Sequence, residues 1–331
     1  MLKKAMIMAA GVGSRLGELS EECPKPLVRL VNKPAMDIII EHLSSFGIDK
    51  IIANTYYKSE IIEQYYKNNA NIFLNKEDKL SGTAGGVRKC RFFFDKDEDF
   101  IVMSGDGLSD VDISRAYDSH KKSGAIATIV LKEVEKERTS LYGIVVPDEN
   151  SFVLNFQEKP KTSEAESNLA NTGIYIFKYE IFNYIPENTF YDFAKNVFPS
   201  LMQNGEKINT YIHRGYWSDI GSIEQYKESH YDILNHKVKN YTPTVVKTKT
   251  GRYSAGSNLI MKDNAEVYGN CVFGDNCLLG KNSKIINSIL WDNVKVEENI
   301  IIENSIVLSN TTVKRNLFNG IETANRTQTA V

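Results

Sequence analysis

The sequence carries almost no charge imbalance: Lys and Arg number 40 against 42 Asp and Glu, a formal net charge of -2. No global field draws in nucleic acid or an anionic membrane, so any polyanion must be held locally. Cysteine is scarce. Cys23, Cys90, Cys271 and Cys277 form no C-x-x-C pair and no Cys/His cluster, which argues for reduced thiols packed as small apolar residues. A long apolar run is missing too. "MLKKAMIMAAG" has the look of a short signal peptide, but its apolar core stops at a Gly-Val-Gly-Ser-Arg loop, and no later run approaches membrane-spanning length. The expectation is a cytoplasmic chain with neither nucleic-acid nor membrane partners.

Two common nucleotide motifs are also lacking. The apolar run before "MAAGVGSRLGELSEECPKPL" reads as a buried strand, and glycines at its end let backbone N–H groups approach a phosphate. A dinucleotide fingerprint starting at Gly11 needs glycine where Leu16 stands, and Pro24 and Pro26 would break its helix. The strand "KIIANT" ends in Asn54 and Thr55 without the ribose-binding acid, and Leu16-Gly17-Glu18 is no Walker loop. What remains is either a nucleotide loop of a third kind or a tight strand exit, followed by Lys25 held between two prolines.

With 331 residues, 42% of them hydrophobic, the chain can bury cores for two domains. Over 1–236, strand-like runs such as "KIIANT", "NIFLN", "DFIVMSGD", "AIATIVL" and "NTGIYIF" alternate with amphipathic stretches, as in an α/β domain. "PAMDIIIEHLSSFG" reads as a helix from Pro34 to Gly47, and Asp112 as the N-cap of "ISRAYDSHKKSG". Residues 237–256 have no clear period and read as a linker. A different rhythm then begins. Ala265, Cys271, Cys277, Ser283, Ser288, Val294, Ile300, Ser305 and Thr311 are each followed two positions later by a large apolar residue, in steps of six that slip to five twice. That is the pattern of a β-helix of hexapeptide repeats over 257–316, with a polar tail at 317–331.

Further clusters carry candidate chemistry. "SGDGLSDVD" puts Asp106 just past an apolar strand, open to a hard divalent cation or, equally, to a backbone turn. "FQEKPK" presents Glu158 and Lys159 at a strand end or in a solvated loop, and "LANTGIYIF" offers Asn171 and Thr172 as a polar lip or, equally, a strand N-terminus. In "GYWSDIGS", Asp219 is either a functional carboxylate or the cap of "SIEQYKESHYDIL".

Taken in order, "AAGVGSR", "PKP", "GTAGG", "SGD", "YGIV", "EKP", "NTGIY", "YWSDIG" and then the repeats resemble the sugar nucleotidyltransferases, and within them the mannose-1-phosphate guanylyltransferase-like branch. Ser14 departs from the threonine usual there but keeps the hydroxyl. The resemblance implies a Rossmann-like mixed-sheet α/β domain followed by a short left-handed β-helix. It implies an enzyme in which a sugar 1-phosphate oxygen attacks the α-phosphorus of a nucleoside triphosphate and releases pyrophosphate, with positioning and charge neutralisation dominating. On that basis Ala10, Gly11, Gly13 and Ser14 cradle phosphates, Arg15 holds the pyrophosphate, and Lys25 meets the α-phosphate. Asp106 and Asp219 hold Mg²⁺, Gly82 and Thr83 lie at the base, and Gly143, Glu158, Lys159, Asn171 and Thr172 line the sugar-phosphate site.

GTP with mannose 1-phosphate is the expected pair; glucose 1-phosphate with UTP, dTTP, CTP or ATP is the alternative. A homo-oligomer joined through the β-helix is expected, because an open coil end leaves edges exposed. Two rivals remain. A repeat acyltransferase would want a histidine base, yet His42, His120, His213, His230 and His236 all precede the repeats. An inactive regulatory subunit is harder to reconcile with Arg15, Lys25, Asp106, Lys159 and Asp219 all being present.

Overall fold

The computed structural model describes residues 2–324, so 325–331 of the expected tail lie outside the described residues. The chain forms two compact units that do not follow chain order. One comprises Met1–Val12, Pro24–Leu27 and Ala35–Asp219; the other comprises Gly13–Cys23, Val28–Pro34 and Ile220–Val331.

The first unit is built on a nine-stranded mixed sheet. Ile72–Lys76, Lys50–Thr55, Lys4–Met8 and Phe100–Ser104 lie side by side in parallel. These strands read as near-continuous apolar runs because helices cover both faces of a parallel sheet. Leu169–Phe177 then pairs antiparallel with Phe100–Ser104 and with Ala127–Glu133. Chain order reverses between Lys4–Met8 and Phe100–Ser104, and the crevice beyond the carboxyl ends of such strands is where α/β sheets bind ligands. The core is aromatic: Phe100 stacks on Phe94 at 4.1 Å and on Phe182 at 5.4 Å, and Phe177 on Phe193 at 5.0 Å. The helix Ala35–Ser45 sits where the Pro34 signal put it. Asp112 caps Ile113–Ser123, its carboxylate accepting from Arg115 N at 3.0 Å.

In the second unit the chain visits three parallel ladders in rotation. Ile260–Met261, Leu278–Leu279, Lys295–Val296 and Thr312–Val313 form one. Glu266–Phe273 feeds the other two through Lys284–Ile286 and Ile289–Leu290. This three-sided winding is consistent with a β-helix. Val267, Phe273, Leu279, Ile285, Leu290, Val296, Ile302, Val307 and Val313 are all buried, as are Ser283, Ser288, Ser305 and Thr311 two positions before four of them. Within 237–256, Gly251–Ala255 already pairs in parallel with Glu266–Phe273, and within 317–324, Leu317–Phe318 and Ile321–Glu322 continue two ladders.

Asparagine turns the corners. Asn264, Asn276, Asn282, Asn287, Asn293, Asn299, Asn304 and Asn310 all have φ between 44° and 60°, the left-handed region that asparagine tolerates better than other side chains. Their amides stack from coil to coil: Asn258 donates to Asn276, Asn276 to Asn293 and Asn293 to Asn310 at 2.9, 3.1 and 3.0 Å. The helix Ile223–Leu234 belongs to this unit and is capped by Ser222, which accepts from Gln225 N at 3.2 Å; Asp219 is not the cap. Arg29 pairs with Asp292 at 2.8 Å, and Asn32 Nδ2 donates to the Phe273 carbonyl at 2.9 Å, binding an early segment to the coil.

Candidate active site

At the strand reversal the first unit holds a cavity of about 300 Å³ lined by Ala10, Gly11, Lys25, Asn54, Glu77, Gly82, Thr83 and Asp106, among others. Lys25 lies in the turn Lys25–Leu27, where Leu27 N donates to Pro24 O at 2.8 Å. Its Nζ donates to Asp106 Oδ2 at 2.5 Å, and Ser104 Oγ donates to the other carboxylate oxygen at 2.5 Å. Burial alone would raise the Asp106 carboxyl, but the Lys25 charge and the hydrogen bonds from Lys25 and Ser104 outweigh it and hold the group below the usual carboxylate range. Asp106 sits in the turn after Phe100–Ser104 and its carboxylate also takes a hydrogen bond from its own backbone, so the turn-aspartate reading holds alongside the side-chain contacts.

The floor of this cavity is a buried network that strand patterning does not reveal. Ala9 N donates to Asn54 Oδ1 at 3.0 Å, Asn54 Nδ2 to Glu77 Oε1 at 2.6 Å, and Lys89 Nζ to Glu77 Oε2 at 3.0 Å. Ser81 Oγ also donates to Glu77. The only sequence signal was a polar pair, Asn54-Thr55, ending an otherwise apolar strand.

A second group of expected residues gathers at the antiparallel strands. Gly143 pairs with Glu158 across Gly143–Pro147 and Val153–Glu158, and Lys159 N donates to Tyr142 O at 3.2 Å. Glu158 and Lys159 are exposed. Leu169–Phe177 breaks register between Asn171 and Tyr175, at a bulge of the kind found beside active sites. There Gly173 takes φ 73°, with Ser104 Cβ so close that a side chain would crowd it. Asn171 Nδ2 donates to Tyr175 Oη at 3.0 Å, and buried Thr172 donates to the Val130 carbonyl at 2.7 Å. Gly173 therefore puts this lip against the serine that holds Asp106.

Asp219 lies on Trp217–Asp219, directly across from Gly107, the residue after Asp106. Tyr142 Oη donates to Asp219 Oδ1 at 3.3 Å, its ring packs edge-on against Trp217 at 5.1 Å, and Trp217 Nε1 donates to Thr172 O at 3.2 Å. Burial, and then the Asp219 charge, pushes the Tyr142 hydroxyl up to about 12, so it stays a neutral donor. Sequence reading passed over Tyr142 and Trp217 because each acts through a cross-strand contact. Gly13, Ser14 and Arg15 fold with the second unit: Gly13 opens the turn Ser14–Leu16 and accepts from Ser20 Oγ at 2.7 Å, while Ser14 and Arg15 are exposed.

A lysine–carboxylate pair beside glycine backbone lies at the carboxyl ends of parallel strands, where open α/β sheets bind their ligands. The sequence pattern of the nucleotidyl transferase family matches residues 4–236, and the chain belongs to that family as a sugar nucleotidyltransferase. A UTP–glucose-1-phosphate uridylyltransferase of Synechocystis sp. is 34% identical over 87% of this chain and 82% of its own length. A glucose-1-phosphate adenylyltransferase of Clostridioides difficile is 30% identical over 86% and 84%. The solved structure of HddC from Yersinia pseudotuberculosis superposes with a TM-score of 0.60 at 25% identity, covering 69% of this chain and 98% of that one. Among the described residues, no helix is long and apolar enough to cross a membrane.

Proposed function

We propose that this chain joins the nucleoside monophosphate of an NTP to a hexose 1-phosphate. A sugar-phosphate oxygen forms the new bond to the α-phosphorus while the bond to the departing pyrophosphate breaks. The observation that carries this reading is the Lys25–Asp106 pair in the cavity at the strand reversal. Lys25 is taken to meet charge growing on the α-phosphate, Arg15 the pyrophosphate, and Ala10, Gly11, Gly13 and Ser14 the phosphate oxygens. Gly82 and Thr83 flank the base, and Gly143, Glu158, Lys159, Asn171 and Thr172 the sugar phosphate.

Asp106 immediately precedes the strand Gly107–Ser109, whose first residue pairs with Asp219. That suits Mg²⁺, which takes one or two carboxylates and fills its remaining positions with phosphate and water. Bound there, it would neutralise phosphate charge. Calorimetry should find NTP affinity rising with Mg²⁺ in the wild type and losing that dependence in Asp219→Asn.

The relatives' names favour glucose 1-phosphate with UTP or ATP as substrates. "GTAGG" and "FYDFAKNVFPSL" favour the second reading, GTP with mannose 1-phosphate. A site that hydrogen-bonds one base rejects its analogues strongly, so one pair should lead clearly when UTP, ATP, GTP, CTP and dTTP are screened with both sugars for pyrophosphate release. Silence from every pair would leave the regulatory-subunit reading in its place. The three-sided coil is read as a left-handed hexapeptide β-helix, supported by ladder partners 17 or 18 residues apart. Self-association is assigned to it because Ile260 and Phe318 are exposed there. Phe318→Glu with Ile260→Glu should lower the mass seen by light scattering.

A further inference from the structure

The Lys25–Asp106 cavity has an apolar side that phosphate binding leaves unused. Leu80 and Phe190 both line it, and they are 40% and 66% exposed. An aromatic ring left that open contributes little to the core. The backbone beside it is nonetheless fixed. Tyr191 N donates to Ser81 O at 2.8 Å, and Ala84 N and Gly85 N both donate to Tyr191 O at 3.0 Å. Thr83 Oγ1 donates to Asp192 at 2.9 Å and accepts from Phe193 N at 3.0 Å. Gly82, at φ 78°, lies so close that a Cβ would overlap the Tyr191 backbone. The start of the helix Gly82–Lys89 and the segment around Phe190 are thus one stitched rim.

We propose that Phe190, with Leu80 beside it, is a stacking clip for the nucleobase. The inference rests on the reading of this cavity as the nucleotide site. A nucleotide is a polyanion at one end and a flat ring at the other. This cavity offers matching surfaces on separate segments: the Lys25 ammonium for the phosphates, and a held but uncovered aromatic ring for the base. Stacking tolerates any base, because each has a π-face. Phe190 therefore contributes affinity for the nucleotide, and the choice of base falls to hydrogen-bonding groups.

Phe190→Ala should raise the NTP KM about 5- to 150-fold, the loss expected for one base–aromatic stack. The kcat and the sugar 1-phosphate KM should stay within about twofold, the signature of lost uniform binding. Phe190→Tyr should restore the NTP KM. Phe190→Trp supplies a readout independent of turnover: against the wild-type background, its added emission should be quenched by NTP and nucleoside diphosphate but not by inorganic pyrophosphate. An unchanged NTP KM in Phe190→Ala, or emission indifferent to nucleotide, overturns the clip. If no NTP turns over in the wild type, quenching by nucleotide still upholds the clip while the transfer reading falls.

Discussion

Phe100 in the α/β unit packs on Phe182, a residue reached only after several intervening strands and helices. In the coiled unit, Asn276 bonds to Asn293, 17 residues on, and that rung repeats along the ladder. The first arrangement brings residues from distant segments into one cavity, so Lys25, Asp106 and Asn54 converge only through sheet topology. The second places like on like, so each coil is held by its neighbours. A non-local core can gather unlike groups for chemistry. A repeating one is suited to spacing, stacking and surface.

The largest expected effect lies at the convergent site. Lys25→Ala should lower kcat about 100- to 1000-fold, or about 2.7–4 kcal/mol, the range for losing one preorganised donor aimed at transition-state charge. The thermal midpoint should move far less than turnover. If activity is lost only in proportion to unfolding, the lysine serves the fold and the contrast between the units fails.

A smaller effect depends on pH. His230 in the coiled unit is fully buried, and burial drives its pKa down to about 3; only a hydrogen bond at the backbone of the Arg29–Val31 turn opposes this. The sign follows from linkage. A folded-state value below the ordinary 6.5 means the unfolded chain takes the proton first, so stability is fully present above about pH 6.5 and lost as pH falls toward about 3. Between pH 7 and 5 that amounts to about 2 kcal/mol. His120 in the α/β unit shifts the same way, to about 4, with Asp99 at 3.9 Å working against its burial. Urea unfolding at the two pH values should show His230→Gln losing about 2 kcal/mol less on acidification than the wild type. Equal losses would mean His230 is not the acid-sensitive group.

Much of this was legible in the chain. "KIIANT" and "NIFLN" became parallel strands because an apolar run between polar ends leaves little else for the backbone to do. Gly11, Lys25 and Asp106 could be singled out because glycine, proline-flanked lysine and lone aspartate at strand ends are conspicuous, whereas Gly82 and Thr83 came only from the family resemblance. Glu77, Tyr142, Trp217 and Phe190 were not, since their roles arise across strands and between loops. The chain's weave was equally hidden: no local pattern says that Gly13–Cys23 and Val28–Pro34 fold with the coil while Pro24–Leu27, between them, does not. In the repeats the aliphatic rhythm was visible, and a second signal lay beside it. An asparagine precedes every small residue from Ala265 to Thr311, and at Cys271 the left-handed turn moves one place back to Gly269.

That asparagine row gives the smallest and most discriminating test. Asn293 is exposed, sits at φ 59°, accepts from Asn276 and donates to Asn310. Alanine removes both bonds and must also hold a left-handed backbone, so Asn293→Ala should cost about 1–2 kcal/mol. Glycine loses the same bonds but takes that conformation freely, so Asn293→Gly should cost roughly half as much or less, its greater unfolded-state freedom offsetting part of the gain. Urea unfolding of the two variants separates conformation from ladder. If both lose the same, the amide stack holds the corner; if glycine matches the wild type, backbone geometry alone made asparagine the residue of the turn.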